Sequence, residues 1–364
     1  MAPHVPILHG LGLHPPRPRP YRFPFPPFPS GWYSLGPSSA FRPGTIQKLH
    51  RFGRDLIVFR TEGGAVSVLD AVCPHLGADL AGGVVRGEEL VCPFHGFGFG
   101  ADGRCSSLPE GYGHRIPPKL SCRTWPSREV DGLLLMWFDA ARGAPRWEIP
   151  VFDDGGYRPL RLMRFELRTH PQETGEGSVD LGHLRMVHRY LTAEPVGDLR
   201  LDGPRLFARY RATRRAPPGL GRDVMTFEFA PALHGLGYST VDVDICEIGL
   251  RYRLWVLATP IDGERIDYRI GFRMAVPADL GALHPLVGHL PRPLAVPLLE
   301  GATFLAFESD VALDFRIWEN KSYVHPPALV AGDGPIGQYR RWARQFYADP
   351  PPEAAPAGPE EACA

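Results

Sequence analysis

The sequence has no excess charge of either sign and few cysteines. Its 364 residues include 40 basic and 40 acidic side chains, so the formal net charge is zero. A neutral chain offers no general attraction to nucleic acid or to an anionic membrane surface, and we expect neither partner. The six cysteines do not show the spacing of a disulfide framework, which favours a reducing, cytoplasmic setting.

Long apolar runs and nucleotide-binding motifs are also missing from the sequence. No run approaches the roughly 18 apolar residues of a membrane-spanning helix, so we expect no transmembrane segment. No glycine-rich dinucleotide fingerprint or flavin motif is present. The Pro-rich stretch at 15–29 lacks an apolar signal core, so we predict an extended N-terminal arm at 1–30. The Pro/Ala/Glu-rich stretch at 350–364 is predicted to be a flexible tail.

Two short loops carry the most informative pattern, C-P-H at 73–75 and C-P-F-H at 92–95. Two thiolates and two imidazoles suit a [2Fe–2S] cluster in which one iron has only Cys ligands and the other only His ligands. A structural zinc site is the alternative, but zinc sites more often place both Cys on one loop. Each loop continues past its His to a Gly, which allows a tight turn beside the cluster. The predicted ligands are Cys73, His75, Cys92 and His95.

The length and the distribution of turn residues predict two domains. Short apolar runs at 56–59, 66–69 and 133–138 lie between Gly-rich turns, which is typical of β-strands. We therefore predict an all-β domain at 31–143 with the two cluster loops at one end. The stretch at 144–150 is the predicted linker into a second domain at 144–349.

The second domain is predicted to be α+β. Apolar and polar residues alternate at 266–276, 208–212 and 241–245, which predicts strands of one antiparallel sheet, each with one buried face. Apolar residues at helical spacing between Ile336 and Phe346 predict an amphipathic C-terminal helix. The apolar stretch at 280–299 is broken by prolines, which suggests either an irregular cover over a pocket or an ordinary surface loop.

A second candidate metal site has the form D-x₂-H-x₄-H, from Asp180 through His183 to His188. Two imidazoles and a distant carboxylate form the ligand set of non-haem Fe(II) oxygenases, which leaves positions open for O₂. In a continuous helix the two His would point about 140° apart, so a helix end or bulge must separate them. We prefer Asp314 as the carboxylate, because it precedes the apolar pair at 317–318, and Asp310 is the alternative.

With both sites present, the chain resembles the oxygenase component of Rieske non-haem iron oxygenases over almost its whole length. The strings FPSGWY at 28–33, VLDAVCPH at 68–75, HPQE at 170–173 and IWENK at 317–321 are similar to the steroid and sterol branch. That branch includes the 3-ketosteroid 9α-hydroxylase oxygenase and the cholesterol 7-desaturases. The cluster and His-pair motifs are specific to the class, whereas these strings are weaker.

The resemblance implies an all-β Rieske domain followed by a catalytic domain of the helix-grip type, with an antiparallel sheet flanked by helices. It implies a homotrimer, in which the cluster of one subunit lies close to the mononuclear Fe(II) of its neighbour. Asp180 would connect a cluster His across the interface with an iron-ligand His in its own chain. A separate reductase or ferredoxin would supply electrons, and O₂ would be used to hydroxylate or desaturate a sterol or steroid.

Two positions depart from the family pattern. Phe97 replaces the usual Trp after the second cluster loop, and Gly177 replaces an Asn that would support the iron site. Two alternative functions remain open at this point. One is the same chemistry on an aromatic or other small apolar compound, and the other is a Rieske electron carrier whose second domain is a non-catalytic binding module.

Overall fold

The structure is a computed structural model that describes residues 22–153, 155–216, 222–277, 279–281 and 285–348. The predicted tail at 350–364 and most of the predicted arm at 1–30 lie outside the described residues. The described end of the arm packs onto the protein, where Phe23 and Phe25 are buried against the ring of His170.

Eleven strands are described before residue 140, and they form three antiparallel sheets. The strands are β1 (Gly31–Pro37), β2 (Thr45–Arg51), β3 (Arg54–Arg60), β4 (Val66–Asp70), β5 (Val84–Arg86), β6 (Glu89–Val91), β7 (Gly98–Phe99), β8 (Cys105–Ser107), β9 (Thr124–Trp125), β10 (Ser127–Val130) and β11 (Leu133–Phe138). The sheet orders are β1-β11-β10, β2-β3-β4-β9 and β5-β6-β7-β8. The predicted all-β character of this half is confirmed, including the strands at 56–59, 66–69 and 133–138.

Strand β11 is apolar at every position because it is buried on both faces. Three of its side chains pack with the core of the second half of the chain: Leu133, Leu135 and Trp137. The alternate three pack inside the first half: Leu134, Met136 and Phe138. A strand covered on both sides has no polar face, so β11 joins the hydrophobic cores of the two halves.

Nine strands of the second half form one antiparallel sheet, as predicted. They are β12 (Arg161–Leu167), β13 (Thr192–Pro195), β14 (Arg200–Asp202), β15 (Arg205–Phe207), β16 (Tyr210–Arg215), β17 (Val224–His234), β18 (Tyr238–Ile245), β19 (Leu250–Pro260) and β20 (Ile266–Met274). The order is β12-β20-β19-β18-β17-β15-β14, and β16 pairs with β17 and β13.

The prediction that β20 has only one buried face is wrong. Asp267 and Arg273, on its polar face, are buried as well. The first half of the chain covers them, since Arg51 forms an ion pair with Asp267, and Arg273 donates a hydrogen bond to the carbonyl of Asp131. The alternation of residue types is real, but the polar face is buried in a junction between the two halves.

Five helices are described: α1 (Pro171–Glu176), α2 (Leu181–Met186), α3 (Pro285–Gly288), α4 (Arg292–Asn320) and α5 (Ile336–Ala343). Helix α4 lies on the sheet, with Phe304, Val311 and Trp318 buried at seven-residue spacing. Helix α5 is the predicted C-terminal helix, and it continues into a 3₁₀ turn at Arg344–Phe346. Within the described residues, no helix combines the length and apolar character needed to cross a membrane.

The prediction of an irregular segment at 280–299 is wrong from Arg292 onward, because α4 begins there. Pro293 lies in the first turn, where a backbone N–H has no helical acceptor, so its ring costs little. Pro297 removes one helical hydrogen bond. Val296 is buried in the core beneath the helix, and this packing offsets the lost bond.

Candidate metal centres

The two cluster loops are built from the same backbone turn. The carbonyl of Cys73 accepts a hydrogen bond from Gly77 N at 3.0 Å, and that of Cys92 accepts one from Gly96 N at 3.0 Å. Each Cys N–H donates to the carbonyl five residues later, at 2.8 Å and 2.9 Å. Gly77 and Gly96 have φ of 80° and 76°, in the left-handed region that glycine adopts without strain. The glycines therefore allow two matching turns.

The predicted cluster ligands face each other across these turns. Cys73 and Cys92 are buried, whereas His75 and His95 are partly exposed. The two Nδ1 atoms of the imidazoles lie 3.2 Å apart. Burial raises the pKa of the Cys73 thiol, and the neighbouring Cys92 adds to the rise. A cation between the sulfurs would favour the thiolate forms that bind metal.

These donor atoms fit a [2Fe–2S] cluster with one Cys-ligated and one His-ligated iron. Two ligands of a tetrahedral metal, each at about 2.1 Å, lie roughly 3.4 Å apart, close to the separation of the imidazole nitrogens. The thiols are buried and the imidazoles are partly exposed, so the two ligand types lie at different depths. Such a cluster would expose its His-ligated iron toward a partner.

Helix α2 positions the His pair. Asp180 is its N-cap, and Asp180 Oδ1 accepts a hydrogen bond from His183 N at 3.1 Å. The helix ends at Met186, and His188 lies beyond that end. The predicted helix end thus lies between the two imidazoles, whose ring centroids are 5.1 Å apart. The end frees His188 from the direction that a continuous helix would impose.

Helix α4 brings Asp314 to this His pair. One donor atom from each of His183, His188 and Asp314 lies within 4.8 Å of the other two. His188 Nε2 is 3.3 Å from Asp314 Oδ1, and adjacent ligands of an octahedral metal at about 2.1 Å lie roughly 3.0 Å apart. His183 Nδ1 donates to the carbonyl of Asp180 at 2.6 Å, which leaves His183 Nε2 as the metal donor. The three side chains fit one ion with coordination positions left open.

Asp310 lies on the other side of His188. Its Oδ2 is 3.2 Å from His188 Nδ1, and its Oδ1 accepts from Arg214 Nη1 at 3.1 Å. Asp310 is not part of the three-residue group that could hold a metal. The geometry therefore favours Asp314 over Asp310 as the ligand.

The charges around His188 favour a cation. Burial alone would lower the pKa of His188, but Asp310 and Asp314 raise it to about 9. A proton on His188 and the guanidinium of Arg214 together balance the two carboxylates. A metal ion can replace this proton, because it supplies positive charge to the same donors.

Two family models match the chain. A Rieske [2Fe-2S] domain matches residues 31–117, and the 3-ketosteroid 9α-hydroxylase C-terminal domain matches residues 136–347. The second match covers more than half of the 364 residues. The chain belongs to the Rieske oxygenases of the 3-ketosteroid 9α-hydroxylase family. This Rieske oxygenase is therefore an oxidoreductase that uses O₂, with a [2Fe–2S] cluster and a mononuclear non-haem iron as cofactors. The alternative of an electron carrier is wrong.

Relatives of this Rieske oxygenase include members of both enzyme groups in the steroid and sterol branch. A cholesterol 7-desaturase of Bombyx mori is 32% identical over 346 residues, covering 89% of this chain and 70% of the relative. A probable 3-ketosteroid-9-alpha-monooxygenase oxygenase component of Rhodococcus rhodochrous is 30% identical over 340 residues, covering 88% and 80%.

A solved structure shows the same fold. Dicamba monooxygenase with non-haem iron and dicamba has a TM-score of 0.61 at 20% identity, covering 86% of this chain and 95% of that chain. The predicted α+β architecture, with an all-β domain before an antiparallel sheet and helices, is confirmed.

Two cavities of this Rieske oxygenase share part of their lining, and the inner one is lined by the His pair. The inner cavity, of ≈ 170 Å³, is lined by the candidate iron ligands and by mainly apolar side chains. The outer cavity, of ≈ 730 Å³, lies between α4 and strands β16–β19 and is also mainly apolar. The two share Tyr190, Phe229, Leu254, Phe307 and Asp310 as lining residues. An elongated apolar molecule could extend from one into the other.

Both departures from the family pattern have a visible structural consequence. Phe97 packs against the ring of His75 with centroids 4.5 Å apart, so an aromatic ring is retained there. Gly177 lines the inner cavity, and a Cβ built on it would lie 3.7 Å from Trp318 Cζ2. No amide is therefore present at 177 to support the candidate iron ligands.

The sequence reasoning missed Arg214 and the position of Asp310 relative to His188. The spacing of Asp310 and Asp314 by four residues would have placed both carboxylates on one face of a helix, had the helix been predicted to extend through them. Nothing in the sequence around Arg214 distinguishes it from the other arginines of β16.

Proposed function

We propose that this Rieske oxygenase is the terminal oxygenase of a system that hydroxylates or desaturates a sterol or steroid. The observation that carries the proposal is the group of His183, His188 and Asp314 at the wall of an apolar cavity. When bound there, an iron ion activates O₂ beside a C–H bond of the substrate. The relatives named above act, by their names, on cholesterol and on a 3-ketosteroid.

The proposed ligands follow from the donor atoms. Cys73 and Cys92 hold one iron of the cluster, while His75 and His95 hold the other through Nδ1. His183 and His188, each through Nε2, and Asp314 hold the mononuclear iron. The hydrogen bond from His183 Nδ1 to the carbonyl of Asp180 fixes the tautomer in which Nε2 is free to bind metal.

The substrate class is proposed from the cavity walls. The inner and outer cavities are lined mainly by aromatic and aliphatic side chains, and their polar groups include the His pair, Asp310 and Arg214. Such a lining excludes water from the apolar rings of a substrate and leaves orientation to a few polar contacts. A small aromatic substrate would leave most of the outer cavity unfilled.

We propose a homotrimer in which Asp180 connects two metal centres. Asp180 Oδ2 lies 3.8 Å from His183 Nδ1, and the carboxylate is 34% exposed, so one oxygen is accessible to a neighbour. Apolar side chains around the cluster loops are exposed, among them Leu76 at 66% and Phe94 at 61%. Docking on a second copy of this chain would cover these side chains and bring His75 or His95 to Asp180.

Electrons are proposed to come from a separate reductase or ferredoxin in a reducing, cytoplasmic compartment. The Rhodococcus rhodochrous relative is itself named an oxygenase component. The cysteines of the described residues form no disulfide with one another: Cys73, Cys92, Cys105, Cys122 and Cys246. Free thiols persist in such a compartment.

Iron analysis tests the ligand set. Anaerobically purified wild-type protein should hold about three irons per chain, and His188→Ala or Asp314→Ala about two, with an unchanged cluster spectrum. Glu308→Gln, on the same helix, is the control and should hold about three. Full iron and full activity in Asp314→Ala would reject Asp314 as the ligand.

A turnover screen tests the substrate class. Sterols, 3-ketosteroids and small aromatic compounds are incubated with the protein, O₂ and a surrogate reductase, and products are identified by mass spectrometry. Hydroxylated or desaturated sterol or steroid products are expected. Products from the aromatic compounds alone would favour the alternative substrate class.

A further inference from the structure

Asp310 makes two polar contacts that link the iron site to the outer cavity. Its Oδ1 accepts a hydrogen bond from Arg214 Nη1 at 3.1 Å, and its Oδ2 lies 3.2 Å from His188 Nδ1. The Asp310 side chain is 19% exposed, so water competes little for these contacts. Arg214 lines the outer cavity, and its guanidinium carbon lies 5.6 Å from the ring centroid of Tyr190.

The two nitrogens of His188 face different carboxylates. Nε2 lies 3.3 Å from Asp314 Oδ1, whereas Nδ1 faces Asp310. The two nitrogens of an imidazole point in divergent directions. A metal bound to Nε2 therefore lies on the opposite side of the ring from Asp310, which does not coordinate it. Asp310 can therefore act on the metal only by holding the ring.

The contact between Asp310 and His188 has the distance of an ion pair but not regular hydrogen-bond geometry. Within the described residues, His188 Nδ1 is a buried nitrogen without a hydrogen bond. A small rotation of the ring would align Nδ1–H with Asp310 Oδ2. Arg214 holds the other oxygen of the Asp310 carboxylate through its hydrogen bond at 3.1 Å.

We propose that Asp310, held by Arg214, is a positioning residue that orients His188 for iron binding. The inference rests on the proposed ligand set and adds one residue to it. In this arrangement Nδ1–H donates to Asp310 Oδ2, and the lone pair of Nε2 is directed at the iron. Partners of this kind on the outer nitrogen of a ligating His fix the ring and the tautomer.

Iron binding and a spectroscopic probe test the proposal without relying on turnover. Asp310→Ala and Asp310→Asn are loaded with Fe(II) under argon, and iron loss to a chelator is timed. Asp310→Ala should release the mononuclear iron about 10- to 100-fold faster than wild type. The rate of iron release from Asp310→Asn should lie between those of wild type and Asp310→Ala, because the amide oxygen still accepts a hydrogen bond from His188 Nδ1–H. The EPR spectrum of the iron–nitric oxide complex should change in Asp310→Ala, since the ligand ring is no longer fixed.

Two further variants distinguish a failure of the positioning role of Asp310 from a failure of the proposed ligand set. Arg214→Gln should shift iron release in the same direction as Asp310→Ala but by less, and Glu308→Gln should release iron at the wild-type rate. Iron release within twofold of wild type in Asp310→Ala, with an unchanged nitric oxide spectrum, would overturn the positioning role while leaving the ligand set intact. Loss of iron in Asp310→Ala but not in Asp314→Ala would reject both the positioning role of Asp310 and the assignment of Asp314 as the ligand. The cluster absorbance reports that each variant is folded.

Discussion

At the scale of single residues, Asp180 has more contacts than an ordinary helix cap. Its Oδ1 caps α2 at His183 N, and its backbone carbonyl accepts from the ring of the same His. Burial opposes the charge of Asp180, but His183 and nearby backbone N–H groups keep its pKa below the usual range. The carboxylate is therefore ionised at neutral pH, with one oxygen free for a partner.

Asp180→Asn should uncouple the two metal centres. The amide is isosteric and its Oδ1 still caps the helix, but an NH₂ group replaces the second carboxylate oxygen and cannot accept a hydrogen bond from a cluster imidazole of a neighbouring subunit. We expect both centres to load and dithionite to reduce the cluster. Product formed per oxidised cluster in a single turnover should fall about 10- to 100-fold or more. The measurement is rapid-quench product analysis together with the cluster absorbance.

The control for this substitution is Asp202→Asn, on strand β14, where Asp202 is exposed and forms an ion pair with Arg205 at 3.8 Å. It should turn over as wild type does. A wild-type single-turnover rate in Asp180→Asn, or a fully active monomer by light scattering, would show that Asp180 serves only as a helix cap.

At the scale of elements, a buried ionic cluster joins three helices. Glu173 and Glu176 lie on α1, Lys321 follows the end of α4, and Arg340 lies on α5. Lys321 Nζ lies 2.8 Å from Glu173 Oε2 and 3.2 Å from Glu176 Oε1, while Arg340 Nε lies 2.6 Å from Glu176 Oε2. Since α1 leads into the His pair and α4 carries Asp314, the ionic cluster helps to set the relative positions of the proposed iron ligands.

Lys321→Met should destabilise the fold, and the loss should grow with pH. Burial raises the pKa of Glu173 above its usual 4.5, and Lys321 opposes this rise. Above pH 4.5 the unfolded chain has lost a proton that folded Glu173 keeps, so stability falls as pH rises toward the folded pKa. Without Lys321 this fall extends to higher pH. We expect a loss of about 3 kcal/mol at pH 8, because Arg340 still neutralises Glu176, and a smaller loss at pH 5.

Urea unfolding of wild type and variant at pH 5 and pH 8 measures this difference. Lys48→Met removes a surface lysine that pairs with Asp55 and Asp79, and should have a smaller effect. An equal loss in Lys321→Met at both pH values would show that Glu173 remains ionised throughout.

At the scale of the whole molecule, a buried carboxylate holds the two halves together. Asp267 on β20 is inaccessible to solvent. It forms an ion pair with Arg51 from the first half, and it accepts hydrogen bonds from Arg164 at 3.1 Å and Arg269 at 3.0 Å. Burial raises the pKa of Asp267, but Arg269, Arg51 and Arg164 outweigh it and lower the pKa below 3.8. This junction keeps the Rieske half and the sheet as one folded unit.

Asp267→Asn should destabilise the protein by about 3–5 kcal/mol, because it leaves buried guanidinium groups without their counter-ion. A carboxylate with a lowered pKa stabilises fully above its unfolded pKa and loses this contribution as pH falls through its folded pKa. The loss should therefore be constant from pH 8 to pH 5, unlike that of Lys321→Met. Urea unfolding over this range measures it.

Asp242→Asn is the matched control for the junction. Asp242 pairs with Arg253 in the same sheet but is 51% exposed, so its substitution should change stability much less. A loss in Asp267→Asn no larger than that in Asp242→Asn would show that the junction is held by apolar packing at β11 instead.

The sequence by itself determined the features that depend on nearby residues. The two C-P turns with Gly77 and Gly96 form through hydrogen bonds between residues four or five positions apart. Their pattern can therefore be recognised in the sequence. Alternation at 241–245 predicted a strand for the same reason. The offset between His183 and His188 predicted the helix end that the structure contains.

Only the tertiary structure decided features that depend on distant residues. Asp310 and Asp314 lie four residues apart on α4, and it is the packing of α4 on the sheet that places one at Nδ1 and the other at Nε2 of His188. The part of the predicted irregular segment from Arg292 onward is helical because apolar burial outweighs the proline cost. Asp267 meets Arg51 across 216 residues. Such contacts exist only after the chain has folded, since no hydrogen-bond pattern or periodicity along the sequence encodes them.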